Sequence, residues 1–327
     1  MRKVLWPAAA LLLLARAATA DGIDWIDNDY DKAVAKAKET GKLVQMNWHA
    51  EWCHFCHKLA DETFVNEEVI AFSNGNFVNL RMDKDKFEQI ADKFNVGGIP
   101  DTLFVTGDGR VISRILGFMP ADAWLAEVKQ IPDRHKRLLE VEALVAKDDK
   151  NGATRLELGM LLKGTGDRAG AEKQFRAVLE LDKDNARGQA TEAWWAIADM
   201  ELNAEEPDVA KAKDAMEKIR GLDAKNEKGR TDDAACGLAM LLMDQDPVAA
   251  REAFGKVIAD FPKTNGTAQA MFMIAALKAN VDGDLDAAEA GMKALAEEFP
   301  EDDWGKRAKD AVEQIAKMRG AGKAEKE

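Results

Sequence analysis

An apolar stretch that leads directly into two closely spaced cysteines is the feature that most restricts the fold. Residues 43–48 (Leu-Val-Gln-Met-Asn-Trp) have the composition of a buried strand, and Cys53-His54-Phe55-Cys56-His57 follows shortly after them. A strand that delivers a C-x-x-C pair to the start of a helix indicates an α/β unit with a redox-active dithiol. The same letters also fit C-x-x-C-H, the attachment motif of c-type haem. The pentapeptide by itself therefore leaves two chemistries open.

The residues on either side of this pair predict alternating helices and strands. Gly41 would end the first helix, and the turn Gly107-Asp108-Gly109 would join the last two strands. Helices are expected over residues 29–40, 53–61, 66–72, 86–94 and 120–130, and strands over residues 43–48, 77–82, 102–106 and 110–116. This alternation predicts an α/β domain over residues 21–130.

The second half of the chain is rich in Ala, Leu, Glu and Lys with helical spacing, and it contains an internal repeat. The repeated positions are Ala171, Phe175 and Val178; Ala250, Phe254 and Val257; and Ala288, Met292 and Leu295. One helix pair cannot bury its apolar face alone, so several pairs must stack. We therefore predict an all-α domain of about four tetratricopeptide-like units, with an irregular helical bundle as the alternative because such patterns are degenerate.

The boundaries that follow from these patterns divide the chain into five segments. Residues 131–150 form a linker or connecting helix. Residues 151–318 carry the tetratricopeptide-like repeats with a capping helix near residues 304–315, and residues 319–327 form a flexible tail. Residues 1–20 precede the α/β domain and consist of a cationic start followed by an apolar stretch.

The first twenty residues are typical of a secretory signal peptide. Arg2 and Lys3 supply the positive start, residues 8–15 are apolar, and Ala18-Thr19-Ala20 offers small residues for cleavage. The sequence therefore predicts a periplasmic protein with no membrane span in the mature chain. Cleavage would make the formal net charge of −13 three units more negative. Such an acidic protein is not expected to bind nucleic acid, which requires a cationic face.

The dithiol has the arrangement that thiol–disulfide exchange requires. Cys53, at the start of a helix, would be the nucleophile because unpaired N–H groups and the helix dipole stabilise a thiolate there. Cys56, one turn later, would resolve the mixed disulfide and should be the less accessible thiol. His54 and His57 would lower the thiol pKa further when protonated.

Three segments together resemble the thioredoxin superfamily, over about residues 42–117. They are residues 43–48, Ala50-Glu51-Trp52-Cys53-x-x-Cys56, and Val96-Gly97-Gly98-Ile99-Pro100. The resemblance implies a thioredoxin fold in which Pro100 is cis and faces the dithiol, while the Ile99 backbone pairs with bound substrate. The exported thiol:disulfide interchange branch is the most similar. Trp52 and Phe55 would then belong to the active-site surface.

Two positions depart from that family's pattern. Cytosolic thioredoxins place a buried Asp where this chain has Asn47, so Glu51 or a water molecule would have to move the proton. The dipeptide His54-Phe55 replaces the usual Gly-Pro of the reductases. The sequence consequently leaves the direction of electron flow open between reductase, oxidase and isomerase.

The leading hypothesis is an exported thiol–disulfide oxidoreductase without cofactor or metal. Its substrates would be protein thiols and disulfides, and a partner protein would dock on the helical repeats. A repeat-based scaffold with a structural or redox-sensing thioredoxin-like module is the main alternative. Two weaker alternatives are haem attachment at the cysteine pair with His57 as an axial ligand, and a Cu(I) or Zn site that uses the two cysteines with His49, His54 or His57. Either would suit a protein that delivers metal or haem in the cell envelope. Cys236, in a stripe of small residues, is expected to pack in a helical core.

Overall fold

The computed structural model describes residues 22–324, with side chains described through residue 317. The predicted signal peptide (residues 1–20) and the end of the predicted tail (residues 325–327) lie outside the described residues. The chain divides into two compact units between Arg137 and Leu138. This division falls within one long helix, Ile131–Lys147, in the segment that the sequence assigns to a connection.

The first unit contains a five-stranded mixed sheet in the order β1-β3-β2-β4-β5. β1, β3 and β2 are parallel, and β4 and β5 are each antiparallel to the preceding strand in this order. The strands are β1 Trp25–Asp27, β2 Leu43–His49, β3 Phe77–Asp83, β4 Asp101–Val105 and β5 Val111–Leu116. The helices are α1 Tyr30–Thr40, α2 His54–Lys58, α3 Glu67–Asn76, α4 Glu88–Lys93 and α5 Ala121–Val128, with a π-helical turn Leu59–Thr63 after α2. The predicted α/β fold class is confirmed.

Strand β1 is the element that the sequence did not predict. It has only three residues, and its side chains are half-buried or exposed, so no alternation of apolar and polar residues develops. Its register beside β3 places Trp25 opposite Asn79. The pairing with a buried strand therefore creates β1, which its own composition does not indicate.

Alternating side chains of β2 enter two separate cores. Val44, Met46 and Trp48 pack against α1 and α4 on one face of the sheet and are fully buried. The other face carries an aromatic cluster in which Phe64 lies 5.1 Å from Trp124 and Phe77 lies 5.0 Å from Phe104, measured between ring centroids. The two filled faces hold β2 rigidly and so determine where the residues after it begin.

The second unit is a succession of helices in which neighbours along the chain pack together, as expected for a helical repeat domain. The chain enters it along α6 Ile131–Lys147. The further helices are α7 Gly152–Thr165, α8 Arg168–Leu181, α9 Gln189–Leu202, α10 Val209–Leu222, α11 Thr231–Met240, α12 Pro247–Asp260, α13 Asn265–Asn280, α14 Leu285–Glu298 and α15 Asp303–Ala324. Helix α11 ends at Met240, because the N–H groups of Leu242 and Met243 bond to carbonyls only three residues back and tighten the chain into a turn.

The repeated small and aromatic positions explain how successive helices approach each other. Phe175 of α8 and Phe254 of α12 are fully buried, and Met292 of α14 occupies the corresponding position. Gly159 of α7 lies directly against Phe175, so that a Cβ atom there would come within 2.5 Å of the ring carbon Cε1. The glycine thus allows the aromatic ring to fill the groove between the helices of the pair.

We expect Gly159→Ala to lower the free energy of unfolding of the helical unit by about 1–3 kcal/mol, because the added methyl group overpacks the contact with Phe175. Gly255→Ala is the matched control, since a Cβ at this helical position meets no atom within 4 Å. The control should raise stability by up to about 1 kcal/mol through helix propensity. Urea unfolding followed by circular dichroism measures both changes, and equal effects of the two substitutions would contradict the packing argument.

Candidate active site

The two cysteines lie just beyond the carboxyl end of β2, where the chain turns into α2. The N–H of Cys53 donates to the carbonyl oxygen of Ala50 at 3.2 Å, which closes the turn. Cys53 then caps α2, since its Sγ accepts the N–H of Cys56 at 3.1 Å. Cys53 and Cys56 are joined in a disulfide. The two cysteines of the C-x-x-C motif therefore form a single disulfide, which is the oxidised form of the dithiol.

Both sulfur-bearing residues are buried in this oxidised form. Cys53 is 4% exposed and Cys56 8% exposed, and both pack against Ala50 and Ile99. The predicted difference in accessibility concerns the two free thiols of the reduced form, and it stays a prediction because the disulfide holds both residues against the same apolar neighbours. Opening of the bridge is required before the first thiol can become more accessible than the second.

Ile99 packs against the two cysteines although more than forty positions separate it from them in the sequence. The Ile99–Pro100 peptide bond is cis. Strand β4 starts immediately afterwards and runs antiparallel to β2, so that Asp101 is opposite Trp48. The end of β2 and the start of β4 therefore meet at one edge of the sheet. The Pro100 carbonyl oxygen accepts the N–H of Gly117 at 2.8 Å, which ties this segment to the end of β5.

Large apolar side chains on the segments that carry the site face solvent, and together they form an apolar rim. Trp52 is 69% exposed and Phe55 is 56% exposed, on either side of Cys53 in the sequence. Leu116 is 65% exposed and lies near Gly98, where a Cβ would be 3.8 Å from its Cδ1. The Trp52 ring is oriented by its Nε1–H, which donates to Asp85 Oδ2 at 2.8 Å. This rim can bind apolar segments of another polypeptide.

The two histidines of the motif are exposed and differ in their contacts. His54 packs edge-on against Phe55, with ring centroids 5.5 Å apart. His57 Nε2 donates to the carbonyl oxygen of Glu51 at 2.8 Å, since a carbonyl can only accept. This bond holds the imidazole over the turn between β2 and α2 and leaves Nδ1 as its acceptor when the ring is neutral.

Asn47 is buried on β2, and its contact partner was not foreseen from the sequence. Its Nδ2 donates to Thr102 Oγ1 at 2.8 Å across the pairing of β2 with β4. An amide and a hydroxyl replace the carboxylate of cytosolic thioredoxins at this place, and neither is a base near neutral pH. Glu51, by contrast, is exposed at the turn. Thr102 could not be found from the sequence because no motif specifies the register between the two strands.

The structure does not gather the histidines into a metal site. Within the described side chains, no group of three or more His, Cys, Asp or Glu is placed to hold a metal ion. His49 is half-buried, and burial together with the nearby Arg81 lowers its pKa. The two sulfurs that a haem or a metal would use are bonded to each other.

A buried carboxylate follows the cis-proline directly and was also missed by the sequence. Asp101 is almost fully buried, and its Oδ2 lies 3.3 Å from Arg114 Nε on the neighbouring strand β5. Its Oδ1 has no hydrogen-bond partner. Burial raises the pKa of Asp101 to about 6, against the opposing effects of Arg114 and Lys84.

The third cysteine lies in α11 of the helical unit, buried in its core. Cys236 is fully buried, and its Sγ–H donates to the carbonyl oxygen of Gly266 at 3.0 Å. Burial, reinforced by Asp233 and Asp232, raises the pKa of this thiol to about 12. It therefore stays protonated and packs in the core, as the surrounding small residues predict.

Comparison with known proteins identifies the first unit. The family model described as "Thioredoxin-like domain" matches residues 30–132, a range that contains the disulfide and the cis-proline. A thioredoxin H-type of Oryza sativa subsp. indica is 31% identical over 104 residues, which cover 32% of this chain and 81% of that protein. The chain belongs to the thioredoxin-like family.

Two longer relatives match over a similar number of residues. The thiol:disulfide interchange protein DsbD of Pseudoalteromonas atlantica is 32% identical over 109 residues, 32% of this chain and 18% of that protein. The chloroplastic thioredoxin-like protein HCF164 of Oryza sativa subsp. japonica is 32% identical over 93 residues, 28% of this chain and 35% of that protein. The chain thus spans about a fifth to a third of the length of these two relatives. Over the described part of the chain, none of the helices is long and apolar enough to cross a membrane.

We expect Asp101→Asn to reduce the pH dependence of the stability of the thioredoxin-like unit. The pKa of Asp101 is raised from 3.8 to about 6 in the folded protein, so the folded state binds the proton more tightly than the unfolded chain. This group therefore favours folding less as the pH rises from about 4 to 6.

The asparagine variant does not ionise, so it does not lose stability over this pH range. Its free energy of unfolding should exceed that of wild type by roughly 1–3 kcal/mol above pH 6.5 and should be about equal to it at pH 4. Chemical unfolding at a series of pH values measures the difference. A difference that does not change with pH would contradict the titration of Asp101 in this range.

Proposed function

We propose that this protein is an exported thiol–disulfide oxidoreductase that acts through Cys53 and Cys56. The observation that carries the proposal is the Cys53–Cys56 disulfide packed against Ile99, whose peptide bond to Pro100 is cis, within a thioredoxin-like unit. The apolar rim around this pair is suited to a protein substrate rather than a small molecule. Export is supported by the cationic and apolar character of residues 1–20.

The reaction transfers two electrons in two exchange steps. In the reducing direction, the thiolate of Cys53 attacks one sulfur of a substrate disulfide, which breaks and releases a substrate thiolate that takes up a proton. A mixed disulfide between Cys53 and the substrate remains. Cys56, after losing its proton, attacks Cys53 Sγ, which releases the second substrate thiol and forms the Cys53–Cys56 disulfide. The substrate is reduced and the protein is oxidised, and the reverse sequence oxidises a substrate dithiol.

The other residues of the site have supporting roles in this proposal. The backbone of Ile99 pairs with the substrate chain, and Pro100 keeps that backbone turned towards the disulfide. Trp52 and Phe55 contact apolar substrate residues. His57, when protonated, adds positive charge near the dithiol and favours the thiolate. Because Asn47 and Thr102 offer no carboxylate, the proton of Cys56 must leave to solvent or to the exposed Glu51.

We further propose that the helical unit docks a partner protein in the groove formed by α10, α11 and α12. The groove has a volume of about 760 Å³ and an apolar floor that includes Leu238, Ala239 and Val257. Such a volume accommodates a few residues of an extended or helical segment. The four units that we infer from the repeat would form the scaffold that shapes this groove.

The charges along the groove indicate the chemistry of the partner. Lys213, Lys225 and Lys256 line it, and none of them has an ion-pair partner among the described residues. Arg220 is paired with Glu217 at 3.4 Å, so Asp260 is the remaining negatively charged residue in the groove lining. A cationic groove in a chain with a net charge of −13 is complementary to an acidic segment that also carries apolar side chains.

Cys53→Ser should reduce insulin reduction by dithiothreitol to the rate of dithiothreitol alone, since no nucleophilic thiolate remains. Cys56→Ser should instead accumulate mixed disulfides with substrate, visible on non-reducing gels, because the resolving thiol is missing. Cys236→Ser is the matched control and should retain wild-type activity. Full activity of the Cys53 variant would refute the enzyme hypothesis.

Reversing the charge of the groove should abolish binding of an acidic peptide. The probe is a fluorescent peptide of alternating Glu and Leu, and its affinity for wild type should weaken as salt is raised. The triple variant Lys213→Glu, Lys225→Glu and Lys256→Glu should bind at least about tenfold more weakly. Lys163→Glu, Lys183→Glu and Lys293→Glu, on helices or turns outside the groove lining, form the control. Equal binding by the two triple variants would refute the groove as the docking site.

A further inference from the structure

One guanidinium group contacts both ends of the segment that carries Ile99 and Pro100. Arg114 Nη2 donates to the carbonyl oxygen of Phe94 and, at 3.3 Å, to that of Asn95, immediately before this segment. Arg114 Nε lies 3.3 Å from Oδ2 of Asp101, immediately after it. The five residues from Val96 to Pro100 are therefore bracketed by contacts to a single side chain on β5.

The middle of the bracketed segment, at Gly97 and Gly98, has few contacts that hold its shape, whereas Val96 is buried in the core and the Pro100 carbonyl oxygen accepts the N–H of Gly117. Gly97 and Gly98 have no side chains to pack, and glycine adopts many backbone conformations at little cost. A Cβ at Gly97 would meet no atom within 4 Å. A residue outside the segment contributes one hydrogen bond, since Lys84 Nζ donates to the Gly97 carbonyl oxygen at 3.2 Å. The ends of the segment, by contrast, are fixed by the rigid planar fork of Arg114.

The carboxylate of Asp101 is arranged to orient that fork. It is almost fully buried, and Oδ1 has no hydrogen-bond partner, so Arg114 is the principal contact that compensates its charge. The charged groups that act on Asp101 are Arg114 of β5 and Lys84 after β3. Its register partner on β2 is Trp48, which is uncharged. Protonation of Asp101 removes the charge that holds the Nε side of the fork.

We propose that Arg114 and Asp101 are positioning residues that hold the Ile99 backbone in place for pairing with a substrate polypeptide. The inference rests on the proposed function, because it concerns the same dithiol site. Neither residue contacts the sulfurs, so the reactivity of Cys53 towards a small disulfide is independent of them. Docking of a peptide substrate, however, depends on the ion pair between Arg114 and Asp101, and it weakens as Asp101 becomes protonated.

The test compares two substrates at the same thiol. Reduced full-length protein is mixed with a peptide ring of uncharged residues closed by a disulfide, acetylated and amidated at its ends, or with 2-hydroxyethyl disulfide. Tryptophan fluorescence follows each second-order rate constant between pH 5 and pH 7.5. The ratio of the two rate constants cancels the titration of Cys53, because both substrates react with the same thiolate. In wild type this ratio should fall as the pH is lowered through about 6.

The variants separate positioning from a general structural role. Arg114→Ala should lower the ratio roughly tenfold, as a misplaced binding element does, and should leave the rate with 2-hydroxyethyl disulfide unchanged. Asp101→Asn, a substitution of equal size, should give a low ratio that no longer changes with pH. Arg114→Lys should restore the ratio only in part, since an ammonium group lacks the fork. The control Arg81→Ala removes an exposed ion pair with Asp27 and should behave as wild type.

The outcomes are distinguishable. If the protein reduces both disulfides and the Asp101→Asn ratio still follows the wild-type pH profile, the positioning role is refuted. Equal loss of both rates in the Arg114 variants also refutes it, because a structural defect would affect both substrates. Should Arg114→Ala fail to fold, the Asp101→Asn profile decides the question. If wild type reduces neither disulfide, the proposed function fails, and the inference fails with it.

Discussion

The antiparallel pairing of β2 with β4 is the constraint on which the site depends. It places Asp101 opposite Trp48, so that the end of β2 and the start of β4 lie at one edge of the sheet. The disulfide follows the first strand, and the cis peptide bond precedes the second. Were this register shifted by one residue, every side chain of β4 would change faces, and Asn47 would lose Thr102. The register therefore positions the chemistry as well as the core.

Burial on both faces of the sheet keeps this register in place. Met46 and Trp48 fill one core, while Phe77 and Phe104 fill the other, and all are almost fully buried. Slippage would expose large apolar side chains on both faces at once. The packing of apolar neighbours on β2 therefore also fixes the position of buried polar residues of this strand, such as Asn47.

Much of the first unit was predictable because its elements have local signals. The N-cap Asp29 and the left-handed Gly41 delimit α1 as expected, and Asn66 caps α3 by accepting the N–H groups of Glu68 and Val69. Strand β1 had no such signal, since its pairing with β3 alone produces it. The partners Thr102, Asp85 and Arg114 of the site residues were equally hidden. Each is distant in sequence, and no local pattern encodes which distant side chain a strand register brings into contact.

The amino-acid sequence alone predicted the α/β and all-helical halves, the redox pair Cys53 and Cys56, and the place of Ile99-Pro100 in the chain. Periodicity, capping and motif spacing depend on residues that are close together in the chain, and they can therefore be recognised in the amino-acid sequence. The burial of both cysteines in the oxidised form and the raised pKa of Asp101 became apparent only in the folded protein. Burial and the contacts of a charge depend on how distant segments pack, and that packing is a property of the whole fold.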